Sequence, residues 1–130
     1  MRRMAFGFEH IHLIAPDYRA TAQWYVDYLG ARIVEEYQAF GFSSIALDLM
    51  NVRMRISTPV DGHSLPGTTI ETHYGIDHFG FMVDGLEAMV SRLEHRGVEV
   101  LVQVQEARPG LNICYIRGPD DTRIELLEQT

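Results

Sequence analysis

Two stretches of the chain carry nearly the same pattern of apolar and polar positions. "FEHIHLIAPD", from Phe8, and "GIDHFGFMVD", from Gly75, each set an acid and a histidine ahead of an alternating run that closes on aspartate. Alternation with period two predicts a strand. Beyond each aspartate the period lengthens: Tyr18, Thr21, Ala22, Tyr25 and Leu29 in the first half, and Leu86, Met89, Val90 and Leu93 in the second. Both sets predict a helix with one apolar stripe. Asp17 and Asp84 are the expected N-caps, Asp84 with Glu87 three residues on, and Gly30 and Gly97 suit the left-handed position past each helix end. Three further strand-like runs follow in each half: "ARIVEEYQAF", "SSIALDLM" and "VRMRISTP", then "VEVLVQVQEA", "LNICYIRG" and "TRIELLEQ". The predicted order is therefore strand, helix, strand, strand, strand, written twice.

The modules span 7–59 and 75–129 within one domain, 1–130. The segment between them, "VDGHSLPGTTIETHY" from Val60 to Tyr74, is rich in Gly, Pro, Ser and Thr and lacks periodicity, so it reads as the linker. At 130 residues the chain is too short for two independent ordinary domains, and the halves are expected to share a core.

Composition narrows the function. Eleven basic against 18 acidic residues give a net charge of -7, which argues against nucleic acid or an anionic membrane as the main partner and favours a small molecule. Every basic residue is arginine, so Schiff-base chemistry and a lysine general base are excluded. The single cysteine, Cys114, forms no internal disulfide. No apolar segment near the N-terminus approaches a signal peptide or membrane span, and Arg2-Arg3 is followed by a short run that already reads as a strand. The cytoplasm is the expected compartment.

Strand alternation sorts the side chains by face. Val52, Met54 and Ile56 are apolar, and Arg53, Arg55 and Ser57 share the opposite face. Ile124 and Leu126 likewise oppose Arg123 and Glu125. Ile11 and Leu13, with Phe79, Phe81 and Val83, are expected to face the helices. That leaves His10, His12, His78 and Glu125 directed toward a concavity. Trp24 and Tyr25 read as core, and His73 in the linker is a weak candidate for any role.

The arrangement resembles the vicinal-oxygen-chelate superfamily, which includes glyoxalase I, methylmalonyl-CoA epimerase, extradiol dioxygenases, fosfomycin-resistance proteins and bleomycin-binding proteins. "HIHLIAPD…WYVDYLG" is similar to that family's first half, and "IDHFGFMVD…YIRGPDDTRIELLE" to its second. The resemblance implies an α+β fold in which two tandem βαβββ modules form a curved mixed sheet around a metal-binding cavity. It also implies that His10, His78 and Glu125 are metal ligands, a set suited to Fe, Mn, Co, Ni or Zn with positions left open for substrate. A homodimer is expected, with the cavity closed within one chain or by exchange with a second.

One departure concerns the reaction. Glyoxalase I and the epimerase carry a fourth ligand, glutamate or glutamine, four residues before the closing proline of the first module. Counting back from Pro59 lands on Arg55, which cannot ligate a cation. Arg53 or Arg55 is instead a candidate to clamp a substrate carboxylate or phosphate. Three functions stay open: the lost fourth ligand favours dioxygenase-like coordination, but the short single-unit chain is more usual for the lyase and isomerase branches, so the first of the three is preferred. In a glyoxalase-like lyase or isomerase, Glu125 or His12 would shuttle a proton while the metal stabilises an enediolate. In an Fe(II) extradiol-type dioxygenase, His12 or Tyr115 would assist proton transfer. A non-catalytic antibiotic-binding protein is the third.

Overall fold

A computed structural model describes residues 5–59 and 64–130 of the chain. Arg2-Arg3 and the first four linker residues, Val60 to His63, lie outside the described residues. Contacts divide the chain into two compact units, Met1–Leu65 and Pro66–Thr130.

The first unit runs β1 (Ile11–Ile14), α1 (Tyr18–Leu29), β2 (Arg32–Ala39), β3 (Phe42–Leu49) and β4 (Val52–Ser57). Its sheet has the order β1-β4-β3-β2, with β1 parallel to β4 and the other pairs antiparallel. Helix α1 begins where the Asp17 carboxylate accepts from the Ala20 N–H at 3.1 Å. It ends at Gly30, whose φ of 76° is the left-handed conformation that glycine adopts without steric cost. The buried stripe Thr21, Ala22, Tyr25 and Leu29 turns toward β3 and β4. There it meets the inward positions Ile45, Leu47, Leu49, Met54 and Ile56. Each such aliphatic side chain contributes about 1.5–3 kcal/mol on full burial. Tyr25 is core as expected, while Trp24 is half-buried and packs edge-on against Tyr25.

The second unit repeats the plan with β5 (Phe79–Met82), α2 (Leu86–His95), β6 (Val100–Arg108), β7 (Leu111–Arg117) and β8 (Arg123–Gln129), in the sheet order β5-β8-β7-β6. A 3-10 turn, Pro119–Asp121, leads into β8. Leu86, Val90 and Leu93 form the buried stripe of α2, and Ile113, Ile116, Ile124 and Leu126 are buried in the sheet. The chain is thus α+β, with two tandem modules and two four-stranded mixed sheets.

One expected cap is corrected. Asp84 does not start α2; the N-cap is Gly85, in the left-handed conformation and without a side-chain bond of its own. The Glu128 carboxylate reaches over from β8 and accepts from the N–H groups of Gly85 (2.5 Å) and Leu86 (3.2 Å). A carboxylate at the positive end of the helix does the work a local aspartate would have done.

Candidate functional site

Strand register shows how the two units correspond. Ile11 pairs with Met54 and His12 with Arg55 in the first sheet, as Phe79 pairs with Ile124 and Gly80 with Glu125 in the second. His10 and His78 are therefore matching positions, each one residue ahead of its strand, and Arg55 matches Glu125. Across the next ladder Ala46 stands opposite Arg55, and Tyr115 opposite Glu125. The repeat keeps its histidines and the acid before each, and changes the strand residues that face them.

In the second unit the functional groups converge. His78 Nδ1 lies 2.7 Å from Asp77 Oδ2, and its Nε2 lies 3.0 Å from Glu125 Oε2. The imidazole is thus held between two carboxylates, Asp77 at Nδ1 and Glu125 at Nε2. The His78 bond, with the charge of Arg123, holds the Asp77 carboxyl below its usual value against the opposing effect of burial. Tyr115 Oη is 3.4 Å from His78 Nε2, and its ring stands edge-on to the imidazole. Burial raises the Tyr115 phenol, and the neighbouring Glu125 carboxylate raises it further, so it stays protonated. Arg123 lies over the Tyr115 ring, 4.7 Å from its centroid, with Nη1 4.0 Å from Asp77. Gly80 leaves room beside the His78 and Glu125 pair. A Cβ at that position would lie 3.0 Å from the Leu127 side chain and 3.4 Å from Glu125 Oε2.

The first unit builds a different cluster. His10 Nδ1 lies 3.0 Å from Glu9 Oε1, and the same oxygen accepts from Arg55 Nη2 at 3.0 Å. Arg55 Nη1 donates to Tyr37 Oη at 2.8 Å. The guanidinium, and then His10, hold Glu9 below its usual value. His12 Nε2 is 2.7 Å from Ser57 Oγ, and that hydroxyl donates to the Thr58 carbonyl. Ser57 therefore accepts from an Nε2–H, which leaves the lone pair of His12 on Nδ1. Burial lowers the His12 pKa, with His10 and Arg55 adding to the effect. At neutral pH the ring is a neutral base.

Of the residues singled out from the sequence, His78, Glu125 and Tyr115 are brought together, and His10, His12 and Arg55 cluster separately within their own unit. Arg53 bonds Asp48 across the ladder, Nε to Oδ1 at 2.5 Å, and so already has an anionic partner. Both ring nitrogens of His73 lie against backbone carbonyls, Glu71 at 2.8 Å and Ile76 at 3.1 Å, which makes it a brace for its segment. Sequence reasoning missed the roles of Glu9, Asp77, Tyr37, Ser57 and Arg123. The acid before each histidine was the available signal for the first two. Among the described residues, no group of three or more His, Cys, Asp or Glu side chains is placed to hold a metal ion. No described helix is long and apolar enough to cross a membrane.

Comparison with known proteins gives these clusters a context. The model of the glyoxalase/bleomycin resistance protein/dioxygenase superfamily matches residues 7–126. The chain is 27% identical over 127 residues to YwkD of Bacillus subtilis, an uncharacterised protein, covering 95% of this chain and 97% of that one. It is 33% identical over 110 residues to biphenyl-2,3-diol 1,2-dioxygenase 3 of Rhodococcus globerulus, covering 82% of this chain but spanning only 55% of that enzyme's length. The crystal structure of a glyoxylase/bleomycin resistance protein/dioxygenase domain from Frankia sp. superposes with a TM-score of 0.80 at 21% identity, over 98% of this chain and 94% of that one.

Proposed function

This chain belongs to the glyoxalase/bleomycin resistance protein/dioxygenase superfamily, and we propose that within it the protein is a divalent-metal-dependent enzyme of the ring-cleaving dioxygenase type. Its substrate in this reading is a small aromatic with two neighbouring hydroxyls. The observation that carries the reading is the contrast at one register position: Glu125 faces His78 at 3.0 Å, while Arg55, where a fourth ligand would stand, is bonded to Glu9 and Tyr37. With no acid or amide there, the donor set is two imidazoles and one carboxylate, His10, His78 and Glu125. That is the set associated with open-sited iron oxygenases. The 33% identity to a biphenyl-2,3-diol 1,2-dioxygenase supports the same choice. His10 would meet the other two ligands in its own chain or in a second copy; members of the superfamily often form dimers.

The residues suit a cation. His78 Nε2 and Glu125 Oε2 are hydrogen-bonded at 3.0 Å; an imidazole nitrogen and a carboxylate oxygen are donors such a cation takes, and these two would hold it from the second unit. Asp77 and Glu9 each sit on Nδ1 of their histidine and direct Nε2 outward, the usual arrangement around a metal-ligating imidazole. Bound iron(II) would supply Lewis acidity toward the hydroxyl oxygens and the electron that oxygen activation needs.

The remaining steps are assigned to the chain. His12, neutral and with its lone pair on Nδ1, accepts a hydroxyl proton. Tyr115, held as a phenol, donates a hydrogen bond to a substrate oxygen. Arg53 and Arg55, each already on a carboxylate, are assigned to supporting their own unit rather than to holding substrate.

A lyase or isomerase is the second reading, favoured by the cross-strand pair Tyr115 and Glu125, a phenol and a carboxylate able to pass a proton between them. Anaerobic reconstitution with Fe(II), followed by oxygen uptake on a panel of catechols, separates the two. Uptake with ring cleavage is expected and would exclude the lyase reading. Absence of uptake across the panel by protein holding one Fe(II) per chain overturns the dioxygenase reading.

A further inference from the structure

We propose that Arg55 is a positioning residue for His10: acting through Glu9, it fixes which ring nitrogen is left to bind a ligand. This rests on the reading of His10 as a metal ligand and extends it to a residue that cannot itself touch the cation. Arg55 holds the register of Glu125, yet its guanidinium is spent sideways, donating to Tyr37 Oη at 2.8 Å and to Glu9 Oε1 at 3.0 Å. That same oxygen, with two lone pairs, also faces His10 Nδ1 at 3.0 Å. Glu9 alone is a poor brace, since its side chain is 66% exposed and long enough to swing. Arg55 is 24% exposed and tied at its far side to Tyr37, so it supplies the fixed point. Ala46, directly opposite, presents only a methyl group where the second unit has Tyr115, and so leaves the guanidinium its room.

The second unit reaches the same end differently. There Asp77 braces His78 at 2.7 Å and Glu125 faces the imidazole directly. In the first unit the last strand supplies the brace in place of the ligand. The charge that would repel a cation from this position is turned onto Glu9.

The test uses the full-length protein and four forms: wild type, Arg55→Met, Glu9→Ala and His10→Ala. In metal-free protein at a pH where the ring is neutral, the ¹⁵N shifts of His10 are expected to report an Nδ1–H tautomer in wild type and its loss in both Arg55→Met and Glu9→Ala. Titration with Mn(II) is expected to show affinity reduced about 10–100-fold in both variants, the range for removing a group behind a ligating histidine. Glu9 is exposed, so its variant keeps the test usable should Arg55→Met fold poorly. An unchanged tautomer and unchanged Mn(II) affinity in these two variants overturn the proposal. His10→Ala separates the two levels: retained affinity there sinks the ligand assignment itself, whereas lost affinity there with full affinity in Arg55→Met sinks only the role of Arg55.

Discussion

Arg55 occupies in the first sheet the register position that Glu125 occupies in the second: one stands opposite His12, the other opposite Gly80. The two residues are the same strand position put to opposite uses. Glu125 presents an oxygen to His78, and Arg55 anchors the acid that orients His10. In the proposed reading, the reaction is built from one carboxylate and two imidazoles.

Tyr115 is expected to matter for turnover and not for metal retention. Its hydroxyl sits 3.4 Å from His78 Nε2, and burial keeps it protonated. Tyr115→Phe is expected to lower kcat by about 10²-fold, the lower end for a lost proton-handling group, with metal content unchanged. Steady-state kinetics on metal-quantified protein checks both, and an unaltered kcat would remove Tyr115 from the chemistry.

The cap of α2 can be tested by stability alone. Glu128→Ala removes the acceptor for the Gly85 and Leu86 N–H groups. It is expected to cost about 1 kcal/mol, as for loss of an N-cap. Asp84→Ala, by contrast, is expected to cost little. Urea unfolding of the two variants ranks them; the reverse order would restore Asp84 as the cap.

How much could be read in advance divides along the range of the interactions. Period, repeat, the Asp17 cap and the Gly30 stop are local, and the structure has them where the pattern puts them. The alternating faces are local as well, which is why His12, Arg55 and Glu125 can be assigned to the polar faces of their strands. The α2 cap was misread because Glu128, far along the chain, competes with the nearby Asp84 for the same N–H groups. Arg55 was recognised as a departure from the fourth ligand, but its partners were not legible. They depend on Glu9 and Tyr37 arriving from two other segments, and on Ala46 leaving space between them.

Cys114 is expected to be inert and to make stability fall in alkali. It is fully buried, and burial pushes its thiol from 9.0 up to about 11. The unfolded chain loses this proton first, so the contribution is fully present below about pH 9. It is lost as the pH rises toward 11, at up to about 1.4 kcal/mol per unit. A thiol reagent at pH 8 is expected to label unfolded protein at once and native protein only at its unfolding rate. Cys114→Ala should flatten the alkaline decline.

The β2–β3 hairpin carries removable strain. Phe40 and Gly41 form its two-residue loop, both with positive φ (50° and 79°), and the Phe40 side chain is 90% exposed. Such a turn prefers Asn-Gly. Phe40→Asn is expected to stabilise the protein by about 1 kcal/mol, read as a higher urea midpoint at unchanged slope. A lower midpoint would mean that Phe40 contributes packing that its exposure does not suggest.

The central claim is that the duplicated histidines and Glu125 hold one divalent cation. Calorimetric titration of metal-free wild type, His10→Ala, His78→Ala and Glu125→Ala with Mn(II) tests it most directly. One equivalent per chain in wild type, with affinity falling at least 100-fold in each variant, is the predicted result. Binding undiminished in His10→Ala, His78→Ala or Glu125→Ala would contradict it.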